Sequence, residues 1–265
     1  MKLVIIVDIN KETLFPILIY NKPFQYNDQI ILYPVKMKDI VLFQMLSQSI
    51  TLRKNSVFHN KSIIKMSYLE FLFYCFQKKE LEQEYAIDGL ANYILLAIEL
   101  IKLCCQDAKV TVDQRTGNLY INETLITPQV FDDLRRIIII QNDIDFDIDE
   151  FLNHDTEKRL LKAQNDRNRS EEKANIEDYI DSLVIVMNTT EERIMNMTIR
   201  KFWRYIKRYQ LHEGYTIAKT GECSGMISFK EPIKHWMVSL DESDKYKDLK
   251  ADENSLKGKI SQANN

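Results

Sequence analysis

A chain of 265 residues with only 6 glycines has few positions where backbone can come close to a ligand. Phosphate-cradling loops need several such glycines, because backbone N–H groups must reach the phosphate oxygens. Neither G-x-G-x-x-G nor G-x-x-x-x-G-K occurs, so no cofactor is expected. Low-complexity tracts and self-similar periods are also missing, which disfavours repeat architectures. The fold has to come from ordinary packing of helices and strands.

The length allows either one large domain or two smaller ones. A hydrophobic share of 45% beside 28% charged residues is that of a globular protein. The net charge of -3 argues against a dedicated binder of polyanions, so any nucleic-acid contact would be local. Cys75, Cys104, Cys105 and Cys223 show no C-x-x-C spacing and read as reduced thiols. Met1–Asp8 is too short for a signal-peptide core and lacks a cleavage site. Leu90–Cys105, the most apolar segment, is interrupted by Asn92, Glu99 and Lys102. It therefore reads as a buried core helix rather than a bilayer span. No membrane association and a cytoplasmic setting are expected.

Short apolar runs separated by turn residues open the chain: Leu3–Ile9, Leu14–Tyr20 with Pro16 inside, and Gln29–Val35. They read as strands of a small sheet, with Pro16 confining its strand to an edge or a bulge. From Met37 the period changes, and Ile40, Phe43, Leu46 and Ile50 fall on one helical face. Ser67 with Glu70 forms a capping box before an apolar helix. Val110–Asp113 and Leu119–Asn122 form a hairpin with Gly117 in the turn. Thr127 with Pro128 starts a helix whose stripe is Val130, Phe131, Leu134, Ile137 and Ile138. The expected class is α+β: a small sheet and hairpins packed with helices, then a mainly helical C-terminal bundle and a polar tail.

Composition shifts at Asp143 and becomes dense in charge from Asn153 to Asn175. The expected organisation is an α+β domain over 1–150, a charged linker or exposed helix over 151–175, a helical domain over 176–240 and a disordered tail over 241–265. In the helical domain Ile176, Tyr179, Ile180, Leu183, Val184 and Met187 share a face, while Thr190 and Thr198 are helix caps.

Chemistry-bearing constellations are sparse. Asp143, Asp145, Asp147 and Asp149 alternate with Ile144, Phe146 and Ile148, but the central glycine and distal glutamate of a calcium loop are missing. The alternation reads instead as a half-buried strand or linker, and no metal site is expected. His59, His154, His212 and His235 form no H-x-x-x-H pair, which leaves no zinc spacing. Cys223 within Gly221–Gly225 has no strand feeding it and no base beside it, so a plain glycine-rich turn is preferred over a nucleophile elbow. No catalytic residue is assigned, and the chain is expected not to be an enzyme.

The strongest local signal is Met195–Gln210, a basic aromatic helix followed by a Trp-containing segment at Glu231–Met237. Arg200, Lys201, Arg204, Lys207 and Arg208 lie on one broad side. Arginine interleaved with aromatics suits phosphate contact and base stacking, yet equally describes an amphipathic helix that meets protein. Without a supporting whole-chain field, the protein-contact reading is preferred and nucleic acid is disfavoured. The expected partner-binding residues are Phe202, Trp203, Arg204, Tyr205, Arg208, Tyr209 and Trp236.

Several segments carry a resemblance: Leu32–Asp39, Met66–Leu72, Gly117–Asn122 with Ile126–Pro128, Phe131–Ile137 with Gln141–Asn142, and Met197–Phe202 through Ile233–Trp236. Together they resemble a family of virion morphogenesis proteins encoded by tailed phages and prophages of low-GC Gram-positive bacteria. The resemblance covers most of residues 30–240, and its motifs are structural rather than catalytic. Proteins of this kind are similar to tail assembly chaperones, which hold the tape-measure protein and recruit tail-tube subunits. The resemblance thus implies a non-enzymatic bacteriophage protein acting in the host cytoplasm through protein–protein contacts, with self-association as a second mode. The rival readings are a structural tail or baseplate subunit and a nucleic-acid-binding module that uses the basic helix.

Overall fold

The computed structural model describes residues 9–106, 108–113, 118–146, 148, 175–225, 228–229 and 231–240. Most of the expected Leu3–Ile9 strand, Gly117, Asp147, Asp149, nearly all of 151–175 and the 241–265 tail lie outside the described residues. The fold is α+β, with two small antiparallel sheets in the N-terminal part and helices elsewhere. The chain divides into two compact units: residues 1–158 with 173–203, and residues 159–172 with 204–265.

In the first unit, the expected edge strand over Leu14–Tyr20 is instead helix α1 (Lys11–Tyr20). Asn10 accepts from the Glu12 and Thr13 amides, and Thr13 returns a bond to the cap backbone. At the other end Asn21 takes a left-handed conformation (φ 52°) and its amide satisfies Ile17 and Leu18 carbonyls. Two well-made caps outweigh the helix bond that Pro16 cannot donate. Leu14 and Leu18, one turn apart, are the residues that α1 buries, each burial contributing ~1.5–3 kcal/mol.

Strands β1 (Phe24–Gln25) and β2 (Ile31–Leu32) pair antiparallel. Asn27 Oδ1 accepts from the Gln29 and Ile30 amides and closes the turn between them. The strand expected over Gln29–Val35 stops at Leu32 because the backbone beyond it is used elsewhere. Tyr33 N donates to the Cys104 carbonyl at 2.8 Å, and Val35 N donates to Asn142 Oδ1 at 2.9 Å.

The core of the first unit is helical. Helix α2 (Ile40–Ser47) buries Ile40, Phe43 and Leu46, and Ile50 is buried in the 3-10 turn that follows; this is the face read from the period. Two short helices, α3 (Lys54–Val57) and α4 (Lys61–Lys65), lead to α5 (Tyr68–Gln77), which starts at the expected Ser67–Glu70 capping box. After α6 (Glu80–Tyr85) comes α7 (Tyr93–Cys104), which buries seven residues including Ala97, Leu100 and Ile101. No helix among the described residues is long and apolar enough to cross a membrane. Strands β3 (Val110–Val112), β4 (Leu119–Ile121) and β5 (Thr124–Leu125) make the second sheet. Thr127 and Pro128 then open α8 (Pro128–Gln141). Phe58, Phe71, Tyr68 and Phe131 interlock in ring contacts with centroids 5.4–6.4 Å apart, a range where edge-on and offset geometries are favourable.

Three sequence-distant segments meet in this unit. Met37 N donates to the Met197 carbonyl at 2.8 Å and Ile199 N to the Val35 carbonyl at 2.9 Å, so Lys36 and Thr198 form an antiparallel bridge. From the other side Gln141 Nε2 donates to the Leu32 carbonyl at 3.2 Å. Helices α9 (Ile176–Met187) and α10 (Glu191–Met195) complete the unit. Asn175 caps α9 with a reciprocal box to Asp178, and Thr190 caps α10. Of the six residues expected on the α9 face, Ile180 and Leu183 are fully buried.

Candidate protein-contact site

Helix α11 (Ile199–Cys223) carries the expected site and is longer than the Met195–Gln210 signal suggested. Thr198 starts it: its carbonyl accepts from Phe202 N at 3.0 Å and its hydroxyl oxygen from Lys201 N at 3.4 Å. Leu211–Cys223 continues without proline, and Gly214 is the one interior residue of low helix propensity before Gly221. Cys223 therefore ends a helix and is exposed; Gly225, at φ 71°, supplies the left-handed residue of the turn that follows.

The first turn of α11 is committed to the interior of the first unit. Phe202 has 0% exposure and is a core side chain. Trp203 is half-buried, edge-on to Tyr179 at 5.4 Å and to Phe202 at 5.2 Å. Arg200, expected on the solvated basic side, is buried and its Nη1 donates to the Leu18 carbonyl at 3.3 Å. A guanidinium can be buried at this place because it reaches the Leu18 carbonyl at the C-terminal end of α1, an oxygen that accepts a second bond beside that of the Asn21 amide.

In the second unit, one face of α11 is covered by the chain's return. Arg208, His212 and Tyr215 stand at i, i+4 and i+7. Arg208 Nη1 donates to the carbonyls of Trp236 and of Val238, the latter at 2.9 Å. His212 meets the Trp236 ring edge-on at 4.9 Å, and Tyr215 meets His235 at 5.1 Å. The basic helix and the Trp-containing segment thus meet along three successive turns. His212, Tyr215 and His235 were not among the expected site residues, although their spacing from Arg208 and Trp236 carried the signal.

What remains outward is mixed. Tyr205 is 41% exposed and Arg204 is half-buried. Tyr209 donates its hydroxyl to Glu213 at 3.3 Å, and the Glu213 charge pushes the phenol above its ordinary pKa. Ile217 is 68% and Met237 66% exposed, with Leu211, Phe229 and Val238 also open. Six Lys and Arg stand against two Glu along α11, so this apolar surface is set in positive charge. Among the described residues, no group of three or more His, Cys, Asp or Glu could hold a metal ion.

A family model described as the YomV second domain matches residues 165–241, a span that includes α9, α10, α11 and the returning Trp236 segment. No curated protein and no solved structure matches the chain. The matched family is associated with phages and prophages, and it supports a phage-related protein.

Proposed function

We propose that this chain is a non-enzymatic phage tail morphogenesis protein, a tail assembly chaperone that works through protein–protein contacts in the host cytoplasm. Its clients are tape-measure or tail-tube subunits, and self-association is its second mode. The observation that supports this reading is the outward surface of α11 and its return segment, where Tyr205 and Ile217 on a helix of positive balance and Met237 on the return are exposed. An amphipathic client helix with acidic flanks fits such a surface through apolar anchors and charge pairing. The arrangement fits nucleic acid less well, because Arg200 and Arg208 already donate to backbone carbonyls.

The test is co-expression of the full chain with the tape-measure and tail-tube proteins of the same phage or prophage, followed by affinity capture. Tyr205→Ala with Ile217→Ser and Met237→Ser should reduce capture at least tenfold while the circular-dichroism melt is kept. Undiminished capture by the triple variant, or no capture by the parent, removes the assignment. Stoichiometric presence of the chain in purified virions would make it a structural subunit instead.

A further inference from the structure

A pocket of about 150 Å³ in the first unit carries chemistry that the C-terminal surface does not use. Its described lining includes Arg53, Lys54, Arg135, Tyr68 and Phe146, and contains three cations and no acid. The three cations come from two places: Arg53 and Lys54 at the start of α3, and Arg135 from the middle of α8.

Arg135 is the centre of the arrangement. It is 6% exposed, and its guanidinium carbon lies 3.6 Å from the Tyr68 ring centroid and 5.2 Å from that of Phe146. Two aromatic rings therefore lie against the guanidinium, whose hydrogen-bonding capacity is carried by its N–H groups. On one edge Nε donates to the Ile50 carbonyl at 2.6 Å. Among the described residues, the two terminal amino groups make no hydrogen bond. That remaining edge is a two-pronged donor whose natural complement is a pair of oxygens on one atom.

The surroundings favour negative charge. Arg53 stacks over Phe146 at 4.6 Å, and Lys54 Nζ donates to the Met66 carbonyl while standing 5.8 Å over the Phe71 ring. Burial, and next the Arg135 charge, push Lys54 below its ordinary pKa, as an excess of positive charge requires. Among the described residues, Asp132, one turn from Arg135 on α8, couples electrostatically to Arg135 and Lys54, but burial pushes its carboxyl up; Glu70 couples to Lys54 as well.

We infer that this pocket is an oxyanion site that takes one carboxylate or phosphate group, held by the terminal amino groups of Arg135 and flanked by Arg53 and Lys54. The aromatic walls exclude water from the pair and strengthen it. The inference does not depend on the chaperone reading, since none of these residues belongs to α11.

The probes are inorganic phosphate and acetate, each titrated into the full chain against chloride at matched ionic strength, with the melting temperature as readout. One of them should raise it saturably by several degrees. Preference for phosphate marks a phosphorylated ligand, and preference for acetate marks an acidic side chain or small organic acid. Arg53→Gln and Lys54→Met, at the half-buried rim, should each weaken half-saturation at least tenfold, while Lys109→Gln beside β3 leaves it unchanged. Arg135→Gln should abolish the effect; should that variant not fold, the rim variants decide. The site is refuted if neither anion exceeds chloride, or if the response survives both rim substitutions.

Discussion

Asn142 Oδ1 accepts the Val35 amide at 2.9 Å, while its own Nδ2 donates to the Ile138 carbonyl at 2.9 Å. One buried carboxamide, 1% exposed, thereby ties the end of α8 to the segment that also bonds Met197 and Ile199. Asn142→Leu leaves a buried N–H without an acceptor, which costs about 1–3 kcal/mol. Chemical denaturation should show that loss as a lower midpoint with an unchanged slope.

Alkaline pH should destabilise the first unit in a defined window. Tyr68 donates to the Ser49 carbonyl at 3.0 Å and accepts from Leu52 N at 3.2 Å; burial raises its pKa to about 12. Tyr26, bonded to Asp133 at 2.8 Å, is also raised to about 12, by burial first and then by Asp133. Both phenols lose their protons at lower pH in the unfolded chain. Their contribution is fully present below about pH 10 and is lost as pH rises toward 12. For Tyr68 this loss is on the order of 2–3 kcal/mol. Tyr68→Phe should flatten the melting-temperature profile across that window, though it starts from a lower value because Ser49 and Leu52 lose a partner.

Two helix positions are open to improvement. A Cβ at Gly214 would meet nothing within 4 Å, so Gly214→Ala should stabilise α11 by about 0.5–1 kcal/mol. Pro16 is exposed inside α1, and Pro16→Ala restores the missing N–H, for a gain of about 1–3 kcal/mol. Part of each gain is offset by the change in unfolded-chain entropy for proline, and reinforced by it for glycine. Thermal melts of the two single variants and their combination check both signs and their additivity.

Arg208 and Arg204 should behave differently under the same change. Arg208→Met removes the donor shared by the Trp236 and Val238 carbonyls, both of which can turn to water. The expected result is a red-shifted Trp236 emission in a Trp203→Phe background with little change in the global melt. Arg204→Met should leave that emission in place.

Sequence reading recovered what is local and periodic. The Ser67–Glu70 box, the Thr127–Pro128 start, the β3–β4 hairpin and the buried face of α2 are written in spacings of two to four residues, and the structure follows them. Leu14–Tyr20 is helix rather than strand because the cap bonds of Asn10 and Asn21 decide the segment over its proline and apolar run. Arg200 and Arg208 looked alike on a helical projection. Their acceptors lie 182 residues earlier and 28 residues later, and no periodicity encodes such partners. The Arg135 pocket was invisible for the same reason, since its cations and rings converge only when α3, α5 and α8 pack.

The exchange between Val35–Met37 and Met197–Ile199 also sets a clock on synthesis. Translation at ~5–20 residues per second separates the two strands of that bridge by roughly ten to thirty seconds. During this interval the backbone of Val35 and Met37 waits on the ribosome without its final partner. The first unit cannot close until Ile199 has been made, so the early helices emerge into a nascent chain that is still open to chaperones and proteases.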